Sequence, residues 1–343
     1  MLRYITDSSN VDTEYTYAVG RIRELERGLL NKNLLDKMIE SSDLSSSLNI
    51  LMESDLGNAY SFDIYNPTNF ETFLNKELLY NYKVIKNISP SPFLYYVFAL
   101  NYDFHNLKVL IKSKYLNKKF TESFSEIGTV NIKNLVIAVE EEKYVEIPVS
   151  FESAIQKTIY EYNKLHEPEI IDLVLDKEKY SIINNILKDI EAPFLEKVIK
   201  INIDFNNFIT SIRIKLRGES KNFLRNVLIE GGNFNLKSLV DMYDSPLLSW
   251  GIRFSKTDYE KVMEAGLKAY QKDNSLIEIE RLRDNYILDF IKIGKYITFG
   301  MEPLIGFLIA KENDIKNIRI ILSGKLNQLP PFKIRERVRD IYV

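Results

Sequence analysis

Cysteine is absent from the 343-residue chain, which excludes a disulfide framework, thiolate chemistry and cysteine-ligated metal. That absence suits the cytosol. The only histidines, His105 and His166, stand far apart, and leave little material for a His-based metal site or a Ser-His-Asp triad. With 13 glycines and 10 prolines there is too little turn-forming material for an all-β design of many short strands. An all-α fold is therefore expected. Long apolar runs are missing too: PLIGFLIA, Pro303 to Ala310, is among the longest. It is far short of the roughly 18–20 residues that span a bilayer, so no transmembrane segment is expected. The amino-terminal MLRYITDSSNVDTEY has no apolar stretch of the secretory-leader kind, and no leader is expected. Excess charge of either sign is lacking, with 46 Lys and Arg against 48 Asp and Glu, a net charge of −2 and a pI near 6.0. No global field then favours nucleic acid or an anionic membrane, and protein partners are expected instead.

What the chain has is repetition. A Pro, an Asp eleven residues on and an Asn three further recur as Pro92, Asp103, Asn106, as Pro193, Asp204, Asn207, and as Pro303, Asp314, Asn317. Two apolar residues follow each Pro, an apolar residue follows each Asp, and a Lys stands eight after each Asn (Lys114, Lys215, Lys325). The three asparagines are 101 and 110 residues apart, far beyond a solenoid unit of roughly 20 to 50 residues. Each copy is domain-sized. A second element, Gly128-Thr-Val-Asn-Ile-Lys-Asn-Leu-Val136, reappears as Gly232-Asn-Phe-Asn-Leu-Lys-Ser-Leu-Val240 and reads as a joint between successive copies. The expected division is three tandem helical repeats over 1–125, 126–230 and 231–343. This suits a chain above the size at which single cores stop growing, of ordinary globular composition at 45% hydrophobic and 27% charged.

Along the chain, Ala18, Ile22, Leu25 and Leu29 have helical spacing, with Arg21, Arg23, Glu24 and Arg27 elsewhere around the wheel, and Leu34 to Ile39 continues the helical pattern. Asp43 is a candidate cap, and Asn66-Pro67-Thr68-Asn69 a turn that starts another helix. Each anchor Pro sits where a helix start tolerates it, and the run from Pro92 to Lys114 predicts a long helix of about 34 Å. Thr129 to Ser150, rich in Val and Ile, reads as a linker with a short extended piece. Helical patterns resume at Phe151–Leu165 and Ile170–Ile190, Gly231-Gly232 breaks the chain, and two more amphipathic helices run through Tyr259–Tyr270 and Ile279–Phe290.

The nearest approaches to catalytic motifs fail on what the chemistry requires. Ser323-Gly324-Lys325 imitates the end of a phosphate-binding loop, but Arg319 stands where the upstream Gly is required and Leu326 where Ser or Thr is. The carboxylate groups Glu140–Glu142 and Asp241 with Asp244 lack a Gly loop or a His partner and read as solvated faces. No catalytic, metal or cofactor site is expected.

The chain resembles the C-type subunits of prokaryotic V-type (A-type) ATPases and ATP synthases, relatives of the d-type subunit of the eukaryotic V-ATPase. Tyr17-Ala18, Arg21-x-Arg23-x-Leu25-Glu26 and Leu29-Leu30 carry the resemblance at one end. At the other it is carried by Phe299-Gly300-x-Glu302-Pro303-Leu304, Lys311-Glu312, Ile315-Lys316-Asn317-Ile318-Arg319, Gly324-Lys325, Arg335-Glu336-Arg337 and Tyr342-Val343. Met301, and Thr210-Ser211 in the middle copy, depart from the pattern. The resemblance implies a non-catalytic central-stalk part, one copy per complex, with its three helical domains in a funnel of pseudo-threefold symmetry. Its partners would be the D- and F-type subunits of the central shaft and the membrane rotor ring. It would couple ATP hydrolysis or synthesis in other subunits to proton or sodium transport. It would lie in the cytoplasm, peripheral on the inner face of the cell membrane. The alternative is a helical-repeat scaffold or adaptor of another complex.

Two groups of residues remain to be placed. The repeated Asp and Asn, at one depth in every copy, are expected to form a polar layer that bonds each long helix to its neighbours. The basic cluster of Lys333, Arg335, Arg337 and Arg339 is a solvated helix face or a contact for an acidic partner or lipid headgroups.

Overall fold

The structure, a computed structural model, describes residues 13–54, 67–116, 124–255 and 257–343. The stretch read for a leader up to Asp12, and Asn66 of the turn, lie outside them. Among the described residues there are fifteen α-helices and no strand, so the expected all-α fold is what forms. They group into two compact units. One combines the residues up to Pro92 with Phe254–Val343, and the other is Phe93–Arg253.

In the first unit α1 (Thr16–Leu25) ends in a tighter turn at Glu26–Gly28, after which Leu29 is extended and α2 (Lys32–Glu40) starts afresh. The restart has a local cause: the Asn31 side chain accepts from the Leu34 amide at 2.9 Å, satisfying a donor that a helix start leaves bare. Asp43 does the same for α3 (Leu44–Met52), accepting from the Ser46 amide at 2.8 Å. The unit continues through α4 (Phe70–Ile88) and, after the second unit, α12 (Glu260–Asp273), α13 (Ile277–Ile291), α14 (Glu302–Leu326) and the short α15 (Pro331–Arg335). Its centre is α14, which packs against α1, α2, α3, α4, α13 and α15. It has little of a polar face: Leu304, Ile305, Phe307, Leu308, Ala310, Ile315, Ile318, Ile321 and Leu322 are all buried. A helix whose apolar residues are buried on every side, with Lys311, Asp314 and Asn317 buried among them, is one that neighbours enclose.

The second unit holds α5 (Pro92–Leu116), α6 (Ile132–Glu140), α7 (Val149–Leu165), α8 (Pro168–Lys188), α9 (Pro193–Leu216), α10 (Lys221–Val227) and α11 (Leu236–Met242). Helices α7 and α8 pair closely, joined at His166, whose left-handed φ of 54° ends α7. Helix α5 meets α7 through Phe104 and Phe151, rings 5.3 Å apart, and is tied to α8 by Lys108–Asp176 at 2.8 Å and Lys112–Asp172 at 2.6 Å. Trp250 is wholly buried beside Phe208 of α9 and Tyr243.

One sequence reading is corrected. Thr129–Ser150 contains α6 in place of an extended piece: Asn131 caps it, and Leu135, Ala138 and Val139 fall on one buried face. The β-branched content misled because burial at helical spacing outweighs propensity.

Candidate functional site

The repeated anchors fall on three long helices of similar build, α5 of 25 residues, α9 of 24 and α14 of 25, each about 37 Å long. Pro92 and Pro193 are first residues of their helices and Pro303 the second, where a missing N–H costs no hydrogen bond. Midway along each helix the Asp and Asn are fully or almost fully buried. What they hold is backbone.

Each Asn takes one residue by both main-chain groups. Asn106 accepts from the Ser125 amide at 2.9 Å and donates to its carbonyl at 2.8 Å. Asn207 does the same to Ile229, both bonds at 2.8 Å, and Asn317 to Arg339, at 2.7 and 3.1 Å. Each Asp takes the next stretch. Asp103 accepts from the Thr129 amide at 2.9 Å, the Thr129 hydroxyl at 2.7 Å and the Val130 amide at 3.1 Å. Asp204 accepts from the Asn233 amide at 3.1 Å, the Asn233 side chain at 2.9 Å and the Phe234 amide at 3.0 Å. Gly128 and Gly232 are required by this approach, since a Cβ there would come within 2.3 and 2.2 Å of the Asp103 and Asp204 Oδ1 atoms.

The Lys of each copy completes the grip. Lys114 Nζ donates to the Val139 carbonyl at 2.7 Å, Lys215 Nζ to that of Tyr243 at 2.6 Å, and Lys325 Nζ to that of Ile39 at 2.6 Å and also to that of Ser41. These acceptors lie at the carboxyl ends of α6, α11 and α2, where free carbonyls and the helix dipole favour a cation.

The third grip is made of pieces from both ends of the chain. Asn317 holds Arg339 near the carboxyl terminus, whereas Asp314 accepts from the amide of Leu30, 284 residues away in sequence, at 2.8 Å. Register shows the equivalence: Gly28-x-x-Asn31-x-x-x-Leu35 matches Gly128-x-x-Asn131-x-x-x-Leu135 and Gly232-x-x-Asn235-x-x-x-Leu239. Asn31, Asn131 and Asn235 all cap the helix that follows, and Leu35, Leu135 and Leu239 are all buried. The third joint was not read from the sequence; this Gly-Asn-Leu spacing near the amino terminus is the signal that could have found it.

The electrostatics of the three differ. Burial raises the Asp103 carboxyl against the pull of its bonds from Thr129 and Val130. Asp314 is wholly buried with a single donor, its Oδ1 has no hydrogen-bond partner, and burial pushes it up to about 7. Beside it Lys311 forms a buried ion pair with Glu77 of α4 at 2.9 Å, and Asn81 donates to the same Glu77 oxygen at 2.9 Å.

The anchors thus bond each long helix to loop backbone and not to a neighbouring helix, which refines the expected polar layer. Of the basic cluster, Arg339 is buried against Asp284 at 2.9 Å, and Arg335 reaches Asp36 at 2.5 Å and Glu40 at 2.7 Å. Lys333 and Arg337 are exposed, beside exposed Phe332. Ser323-Gly324-Lys325 is the last turn of α14, with Gly324 against Ile334 and Lys325 on carbonyls, and it forms no phosphate loop. His105 is exposed on α5. No helix among the described residues is long and apolar enough to cross a membrane.

Fold and site together define a protein that is all-helical among the described residues and whose recurring polar residues secure its own backbone. The chain belongs to the ATP synthase (C/AC39) subunit family, whose sequence model matches residues 18–337. Members of that family include the C subunits of V-type ATPases and A-type ATP synthases, structural and non-catalytic parts of the rotary ATPase. The chain is 28% identical to the C subunit of the V-type sodium ATPase of Enterococcus hirae, over 94% of this chain and 96% of that protein. To the C subunit of the A-type ATP synthase of Methanocaldococcus jannaschii it is 25% identical, over 94% of this chain and 85% of that one. To its namesake in Thermococcus onnurineus it is 26% identical, over 96% and 91%.

Proposed function

We propose that the chain is the central-stalk subunit of a V-type ATPase that joins the shaft, built of D- and F-type subunits, to the membrane rotor ring. In this reading it carries torque between them, coupling ATP hydrolysis or synthesis elsewhere to proton or sodium transport. It lies against the inner face of the cell membrane as part of the complex. The observation that carries the reading is the end-to-end match to proteins named as the C subunit of such ATPases, over 94% of this chain in the Enterococcus hirae protein.

The grips support it mechanically. A part that transmits torque must resist deformation, and each long helix is held to backbone outside it at three depths by its Asp, Asn and Lys side chains. The division into copies over 1–125, 126–230 and 231–343 belongs to the same proposal, as does the use of Lys333 and Arg337 against an acidic partner. Its contacts with shaft and ring would together be on the order of 2,000 Å² or more, the size of stable interfaces.

Affinity purification of the tagged chain from membranes tests it. Shaft and ring subunits of a rotary ATPase should co-purify; recovery with a different complex would favour the scaffold reading. Charge reversal at Lys333 and Arg337 tests the contact, which full assembly of the variant would exclude.

A further inference from the structure

Asp314 differs from its two counterparts in what surrounds it. Asp103 and Asp204 each accept from two backbone amides and also from the side chain of the residue after the joint glycine, Thr129 or Asn233. At the corresponding place before Leu30 stands Leu29, whose side chain has no donor and whose amide bonds to the Glu26 carbonyl, so Asp314 receives the Leu30 amide alone and its Oδ1 is left without a partner. The nearest cation gives little relief, because Lys311 is engaged by Glu77.

We propose that Asp314 is a proton-operated latch: neutral, it docks the amino-terminal segment on α14 through the Leu30 amide; ionised, it loosens that hold. The argument rests on what a buried anion needs. A carboxylate out of water requires several donors or an unshared cation, and Asp314 has one donor and a shared cation. Undocking the segment would admit water to the charge. The two other grips are continuous loops that bring extra donors to their Asp.

The charges around the site leave this reading intact. Glu77, from α4, raises Asp314 further, and Lys311, one turn back on α14, lowers it, both after burial. Other charged groups on elements packed against α14 pair away from Asp314. Arg23 pairs with Glu26 at the end of α1, Arg319 with Glu71 of α4, Asp284 of α13 with Lys316 and Arg339, and Asp36 and Glu40 of α2 with Arg335.

Hydrogen–deuterium exchange at the Leu30 amide of the full chain, from pH 5 to 8 and corrected for intrinsic exchange, reads the latch directly. A closed-state value of about 7 against an ordinary carboxyl in the open state makes opening about tenfold more frequent at pH 8 than at pH 6. Asp314→Asn keeps the acceptor oxygen and removes the titration, so opening should become independent of pH. The Phe234 amide, held by Asp204, should show no such rise. A Leu30 opening that does not change with pH in the wild type overturns the proposal, and this arm needs no variant to fold. A rise that persists unchanged in Asp314→Asn overturns it equally. Neither outcome bears on which complex the protein joins, which the purification decides separately.

Discussion

Asn317 grips Arg339 by both backbone groups, accepting from its amide at 2.7 Å and donating to its carbonyl at 3.1 Å. A side-chain amide carries donor and acceptor side by side, as a peptide group does, and no other small side chain can meet a backbone residue in this way. The carboxyl-terminal segment is thereby bonded to the centre of α14 as though to a strand partner, though no strand is present among the described residues.

Asn317→Ala is expected to leave the Arg339 amide and carbonyl buried without partners. Each such orphan costs about 1 to 3 kcal/mol, so a clear fall in the melting temperature of the isolated protein should follow. Asn317→Asp should fall comparably, because it loses the donor and sets a carboxylate against a carbonyl. An unchanged melting temperature in both variants would count against the buried grip.

The joint glycines make a graded prediction. A Cβ at Gly128 or Gly232 would meet an Asp oxygen at 2.3 or 2.2 Å, whereas one at Gly28 meets nothing within 4 Å. Gly128→Ala and Gly232→Ala should each destabilise by about 1 to 3 kcal/mol, and Gly28→Ala by no more than about 0.5 kcal/mol. Urea midpoints of the three variants give the comparison, and equal losses at all three would mean that the Asp–joint approach is not what requires the glycine.

The sequence made the long helices legible because Pro, Asp, Asn and Lys stand at fixed offsets within one continuous stretch, and an offset survives in a string of letters. It also showed the two inner joints, where Gly128 and Gly232 follow their own helices. The third was hidden by connectivity: Asp314 near one end holds Leu30 near the other, and proximity in space leaves no mark on spacing. What the anchors bond to was hidden as well, since an Asp and an Asn on one helix face suit a neighbouring helix as readily as a loop. Arg339 read as one of four similar surface cations, and only packing distinguishes it, buried on Asp284, from exposed Arg337.

Lys311 and Glu77 form an ion pair whose side chains are 5% and 6% exposed, so neither charge has water to fall back on. Lys311→Met should cost about 3 to 5 kcal/mol, because it strands Glu77 beside Asp314. Adding Glu77→Leu should recover most of that loss, since a buried pair replaced by apolar groups of similar size is close to neutral. A double variant as unstable as the single one would show that the pair contributes through its geometry and not through the stranded charge.

Asp284 and Asp314 set opposite slopes on the stability of the same unit. Burial raises Asp284, but Arg283, Lys316 and Arg339 together outweigh it and hold the carboxyl at about 2, while burial pushes the Lys316 ammonium down against the pull of Asp284. A carboxyl lowered on folding contributes stability that is present above its unfolded value near 4 and is lost as pH falls toward 2, here about 2 kcal/mol. Asp314, raised to about 7, acts the other way: its contribution is full below about 4 and fades as pH rises through 7. Their combined effect should be largest near pH 4 to 5. Measured against the wild type, Asp284→Asn should lose stability at pH 6 and converge with it toward pH 2, since by then the wild-type carboxyl is itself becoming neutral. Asp314→Asn should diverge from the wild type in the opposite sense, gaining on it as pH rises from 5 to 8, because only the wild type must then bury an anion. Parallel curves for either variant across its window would mean that the carboxyl titrates alike in the folded and unfolded chain.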